Sequence, residues 1–111
     1  MKTSSAKAKG RRLQQWVRDQ IIDLFPHLTK NDVRSTSMGA GGEDVQLSEE
    51  ARKLFPYKVE CKNVEKLNVW KAYEQAGDHE GEEEPLLIIK KNNKNPLVVV
   101  DAEFFFKLYR W

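Results

Sequence analysis

The chain has 111 residues, 40% of them hydrophobic and 32% charged, with a formal net charge of +2. That length predicts one domain with one core, and the composition excludes a disordered chain. No apolar run approaches the roughly 20 residues of a membrane span, and a single cysteine, Cys61, excludes an intrachain disulfide.

In chain order, residues 1–12 come first. They hold Lys2, Lys7, Lys9, Arg11 and Arg12 and no acid, so this stretch carries +5 while the remainder, 14 basic against 17 acidic residues, carries −3. Residues 1–9 read as a flexible basic arm on a mildly acidic body. Such an arm suits a polyanion whose phosphates it reaches, or serves as a solubilising tail. "MKTSSAKAKGRR" lacks the apolar stretch of a secretory signal, and the lone cysteine suits a reducing cytosol. Two distant histidines, His27 and His79, give no zinc ligand cluster.

"GRRLQQWVRDQIIDLF" predicts a helix, with Leu13, Val17, Ile21 and Leu24 on one stripe and Trp16 and Phe25 beside it. Pro26 ends it. "VRSTS" predicts a short strand running into the glycine-rich turn "MGAGGED". "DVQL" alternates, with Val45 and Leu47 on one face and Asp44 and Gln46 on the other. Ser48 caps a short helical piece, "EEARKLF", which Pro56 closes.

"YKVECKN" follows as a strand, with Tyr57, Val59 and Cys61 on one face and Lys58, Glu60 and Lys62 on the other. "NVWKAYEQA" predicts a helix with Val69, Tyr73 and Ala76 inward and Gly77 as its stop, and "GDHEGEEE" an exposed acidic loop. "PLLIIKK" and "PLVVV" predict near-continuous apolar strands joined by the turn "NNKN"; Asp101 caps a last helix, "AEFFFKLYRW". The order α-β-β-β-α-β-β-α describes an α/β domain, a mixed central sheet flanked by helices.

An acid and a lysine two apart on one strand face admit two readings, a surface ion pair or the wall of an active site. Asp44 bears on the choice, because it heads the preceding strand just after a glycine-rich turn, where its carboxylate can meet the end of a neighbouring strand. Two converging carboxylates repel, and a hard divalent cation relieves that repulsion. A lysine beside them would face any phosphate bound to the metal. Metal, carboxylates and lysine together suit phosphodiester cleavage, in which a metal-activated water attacks phosphorus.

Asp44 followed by "VECK", with Glu60 and Lys62, resembles the PD-(D/E)XK nuclease superfamily. Within it the chain is most similar to archaeal-type Holliday junction resolvases and related small phage and prokaryotic endonucleases. Lys9-Gly10 ahead of the first helix, and the turn from Arg34 and Ser35 through Gly39 to Asp44, extend the likeness over residues 7–76. The resemblance implies a single-domain restriction-endonuclease-like fold and a Mg²⁺ or Mn²⁺ ion held by Asp44, Glu60 and the backbone carbonyl of Cys61. It implies that Lys62 assists the attacking water, and that the substrate is DNA, a four-way junction cut by a homodimer in a prokaryotic cytoplasm or phage-infected host. Lys7, Lys9, Arg11, Arg12 and Arg34 would bind DNA.

The chain departs from the pattern in two places. Glu43-Asp44 replaces the P-D step, and Gln14 stands where resolvases usually place a metal-holding glutamate, which adds no charge for a second metal. Gln14, Ser35, Ser37 and Gln75 are candidates for site support, against turn-forming serines and an exposed helix glutamine. Trp70 and Tyr73 are candidates for stacking on DNA, against an ordinary place in the core. The aromatic end, Phe104, Phe105, Phe106, Leu108, Tyr109 and Trp111, either seals the sheet or forms a dimer seam. The alternative functions are a nuclease acting on nicked, flapped or duplex DNA, and a non-catalytic DNA-binding module on the same fold.

Overall fold

A computed structural model describes residues 3–36 and 43–110. Ser37 and Gly39 of the glycine-rich turn, Lys2 and Trp111 lie outside the described residues. Those residues form four helices and a five-stranded sheet: α1 (Thr3–Leu24), β1 (Val33–Ser35), β2 (Val45–Leu47), α2 (Glu49–Leu54), β3 (Tyr57–Asn63), α3 (Val69–Gly77), β4 (Glu84–Lys90), β5 (Leu97–Val99) and α4 (Ala102–Lys107). The expected α/β class and mixed sheet are present, with α2 inserted between β2 and β3. The strands lie in chain order, β1-β2-β3-β4-β5. Every neighbouring pair is antiparallel except β3 and β4, which run parallel from Tyr57↔Glu84 to Asn63↔Lys90. A parallel pair requires a crossover, and α3 supplies it.

Leu13, Val17 and Ile21 recur every four residues on α1 and are buried against Val33, Val45, Leu47, Val59, Cys61, Leu86 and Ile88 of the sheet. Burying each such aliphatic side chain contributes about 1.5–3 kcal/mol, so this stripe holds α1 to the sheet. Leu24, expected on the stripe, is exposed instead, because the helix ends there, two residues before Pro26. At its other end α1 takes in residues 3–9, where a flexible arm was expected. Ala6, Lys7, Ala8 and Lys9 are strong helix formers and carry the helix across Gly10.

The opposite face of the sheet carries α3. Ala72 and Ala76 are its buried residues, small enough to bring the helix close over Leu87. Val69 and Tyr73 are half-buried rather than fully inward, and Tyr73 joins β4 to the start of α4: its hydroxyl accepts from the Asp101 N–H at 2.9 Å and donates to the Pro85 carbonyl at 3.4 Å. Trp70 is 81% exposed and takes no part in the core.

The two expected caps, Ser48 and Asp101, are in place, and Asn68, read as the first helical residue, caps α3 as well. Ser48 accepts from Ala51 N–H, Asn68 from Lys71 N–H and Asp101 from Phe104 N–H. On α4, Phe104 packs edge-on against Tyr57, with ring centroids 5.8 Å apart. Phe105, Phe106, Leu108 and Tyr109 remain exposed, so the aromatic end does not seal the sheet among the described residues.

Among the described residues, no helix is long and apolar enough to cross a membrane.

Candidate active site

β2 and β3 are paired only at Val45↔Val59, so the C-terminal half of β3 runs past the start of β2. Asp44 sits at that point. Its own N–H donates to Val59 O at 3.1 Å, and its carbonyl accepts from both the N–H (2.9 Å) and the hydroxyl (3.2 Å) of Thr36. With the backbone held on both sides, the side chain turns along β3. Asp44 Oδ2 accepts a 2.7 Å hydrogen bond from the N–H of Cys61, in the middle of the acid-x-lysine triplet. In a strand a residue's N–H and C=O point to the same edge, so the Cys61 carbonyl also faces the Asp44 side.

Glu60 projects from the opposite sheet face to Val59 and Cys61 and is almost fully buried. Its Oε2 lies 3.4 Å from Lys62 Nζ, and its Oε1 lies 2.9 Å from His79 Nε2. The sequence-predicted Asp44, Glu60, Cys61 and Lys62 are therefore brought together. Burial raises the Asp44 carboxyl above its ordinary value; the Cys61 N–H opposes this, the charge of Glu60 raises it further, and Lys62 and His79 lower it. Burial also pushes the Cys61 thiol up, which leaves it inert as a nucleophile.

Reasoning from sequence missed three residues here. The first is Lys58. Its ammonium is buried and donates to the carbonyls of Gly77 (2.9 Å), His79 (3.1 Å) and Gly81 (3.2 Å). The loop after α3 is therefore folded onto the sheet through Lys58, not simply exposed. Gly81 adopts φ +111°, a conformation that favours glycine, and so the chain can turn back around the ammonium. The second is His79, which this anchoring holds against Glu60. The third is Arg52 on α2, which bridges Glu43 (3.5 Å) and Glu83 (3.1 Å). The only advance signal was two lysines flanking Glu60 on one strand face, and it did not say what they reach.

Glu43 is buried beside Arg52 and lines a polar cleft of about 640 Å³ with Asp78, His79 and Glu80. Ser35 is half-buried on β1 opposite Val45, one residue from Asp44, so it lies near the site. Gln75 is exposed on α3, the ordinary reading of that position. Gln14 is only 3% exposed, and its Oε1 has no hydrogen-bond partner among the described residues. Arg34, Lys7, Arg11 and Arg12 are exposed, and Lys9 is half-buried.

Two carboxylates and a backbone carbonyl are hard oxygen donors, the set that suits Mg²⁺ or Mn²⁺ with water completing the shell. Asp44, Glu60 and the Cys61 carbonyl would hold that ion. Among the described residues no group of three or more His, Cys, Asp or Glu side chains is placed to hold a metal ion.

No family model matches the chain, and no curated protein or solved structure matches it either.

Proposed function

We propose that the protein is a divalent-metal-dependent endodeoxyribonuclease of the PD-(D/E)XK kind, resolving four-way DNA junctions. One observation carries this reading: the Asp44 carboxylate reaches across 17 residues of sequence to the Cys61 N–H, between Glu60 and Lys62. A chance ion pair on a strand has no need of a second, partly desolvated carboxylate turned onto its backbone. When bound, the metal lowers the pKa of a coordinated water and neutralises charge on a phosphate oxygen. Lys62 points from the same face as Glu60 and is partly open to solvent, where it orients the attacking water and faces the phosphate. Glu60 holds Lys62 in place through the 3.4 Å contact.

The fold supports this reading with an antiparallel β1-β2-β3 run followed by a helical crossover to parallel β4. The basic helix supports it as well. Asn63 donates from its side chain to the Lys9 carbonyl at 3.2 Å, which sets the cationic start of α1 beside the end of the acid-x-lysine strand. On α1, Lys9 and Arg12 share one face and Lys7 and Arg11 another, with Arg34 on the β1 edge. Four-way junctions are two-fold symmetric, and a homodimer through the exposed α4 aromatics would present two sites related by the same kind of axis.

Incubating labelled four-way junction, flapped, nicked, duplex and single-stranded DNA with Mg²⁺ or with chelator tests the assignment. Magnesium-dependent cutting of the junction above all others is expected; equal cutting of plain duplex keeps the nuclease and removes the resolvase. A non-catalytic DNA-binding module is the second reading, favoured by the uncharged Gln14 and by the engagement of both Glu60 oxygens by Lys62 and His79. Junction binding with no cleavage under any divalent metal would establish it.

A further inference from the structure

Past the end of β3 the chain forms a second cleft, of about 510 Å³, which the proposed chemistry leaves unused. Its walls include Lys9, Arg12 and Trp16 of α1, Asn63 at the end of β3, and Asn92 and Asn95 from the β4–β5 connection. Lys9 and Arg12 are three apart and Arg12 and Trp16 four apart, so the three side chains share one helix face. Trp16 is 46% exposed, a large flat surface turned outward beside two cations. No acidic residue lines the cleft among the described residues.

Both walls are braced. The Asn63 amide ties α1 to the sheet at Lys9 O. On the other side Lys90 Nζ donates to the carbonyls of Lys91 (3.1 Å) and Lys94 (3.0 Å), and Asn93 adopts φ 62°, which together fold the β4–β5 connection into a compact turn. Asn63 directly follows Lys62, so the cleft adjoins the acid-x-lysine strand around its end.

We propose that this cleft is a subsite for single-stranded DNA, where one unpaired base stacks on Trp16 while Lys9 and Arg12 take the flanking phosphates. A duplex hides its base faces in its own stack, whereas an unpaired base offers its face to an aromatic side chain. Amide side chains at Asn92 and Asn95 each carry a donor and an acceptor suited to a base edge. The inference rests on the nuclease reading only for the choice of DNA, and it deepens that reading by assigning a place for an unpaired nucleotide near a branch.

Equilibrium binding of fluorescently labelled oligothymidine and of a blunt duplex, both in chelator, tests the proposal without any cleavage. Trp16→Ala should weaken oligothymidine binding about fivefold or more and leave duplex binding within about twofold, with Trp16→Phe restoring most of the loss. Arg12→Ala should make the salt dependence of oligothymidine binding shallower by about 0.7 units. Equal losses on both DNAs, or unchanged oligothymidine binding by a natively melting Trp16→Ala variant, would overturn the subsite. Tighter binding of oligouridine than of oligothymidine would overturn the assignment to DNA. Because no outcome depends on turnover, a protein that cuts nothing can still pass this test, and an active nuclease can fail it.

Discussion

His79 Nε2 and Glu60 Oε1 stand 2.9 Å apart, 19 residues from one another in sequence, and Lys58 makes the contact possible. Lys58 and Glu60 lie on the same face of β3, so one side chain anchors the loop and the other receives its histidine. This gives Glu60 two fixed neighbours, His79 on one oxygen and Lys62 on the other.

If Asp44 and Glu60 hold the metal, Asp44→Asn and Glu60→Gln should each abolish magnesium-dependent cleavage. Junction binding should persist or tighten, because removing an anion lessens the repulsion of phosphate. Lys62→Ala should lower the cleavage rate by about 10²–10⁴ with the melting temperature preserved, the range for a group that assists proton transfer. Single-turnover assays with matched binding measurements read both. Full activity in Glu60→Gln, or in wild type with excess chelator, sinks the assignment.

The Asp44 carboxyl is raised above its ordinary value of 3.8, chiefly by burial. Between 3.8 and the raised value the native state binds more protons than the unfolded chain, so this group's contribution to stability falls as pH rises through that window. Asp44→Asn keeps an oxygen for the Cys61 N–H and removes the charge. Without metal it should melt above wild type at neutral pH and lose this part of the pH dependence. Magnesium should raise the wild-type melting temperature and not that of the variant, because only the carboxylate binds it. Equal magnesium shifts in both proteins would argue against a metal at Asp44.

Lys58→Met keeps the aliphatic stem but leaves three carbonyls without their donor. The expected cost is about 1–3 kcal/mol of unfolding free energy, read from denaturant midpoints. Amide exchange should rise first over residues 77–83, since those carbonyls anchor the loop. A variant as stable as wild type, with unchanged exchange there, would show that the ammonium does not hold the loop.

Replacing Lys2, Lys7 and Lys9 together by alanine removes three cations and keeps helix propensity at positions 7 and 9 of α1. On duplex DNA each phosphate neutralised contributes roughly −0.9 to the slope of log affinity against log salt, so the slope should become shallower by up to about 2–3 units. A titration across salt concentrations that returns the wild-type slope would show that these three lysines never meet the DNA backbone.

α4 has no buried residue among those described, and Leu97 and Val98 on the neighbouring edge strand β5 are also exposed. A two-fold dimer across this region is expected, with Phe106→Glu converting it to monomer. Light scattering at micromolar concentration is the check, and a wild-type monomer there removes the structural basis for paired cutting. With a junction held in a supercoiled plasmid, the dimer should release mostly linear product. Accumulating nicked circles would instead indicate single, unpaired cuts.

Local pattern alone determined much of this protein. Period-two alternation marked "YKVECKN" and "DVQL" as strands, period-3.6 spacing placed Leu13, Val17 and Ile21 in the core, and Ser48 and Asp101 announced two helix starts. These signals are legible because they depend on neighbours within a turn or two. The pairing of Glu60 with Lys62 was equally local, two residues apart on one strand face. Tertiary structure decided what those side chains meet. Alternation placed Lys58 only on the Glu60 face, whereas packing makes it a buried anchor for carbonyls 19 to 23 residues away, and His79 came from an acidic loop to the site. Leu24 fitted the helical stripe, but the chain turned before the sheet could cover it. An alternating pattern names the face a residue occupies, whereas the contact it makes depends on where distant backbone is folded, and only the packed sheet, crossover helix and loop specify that.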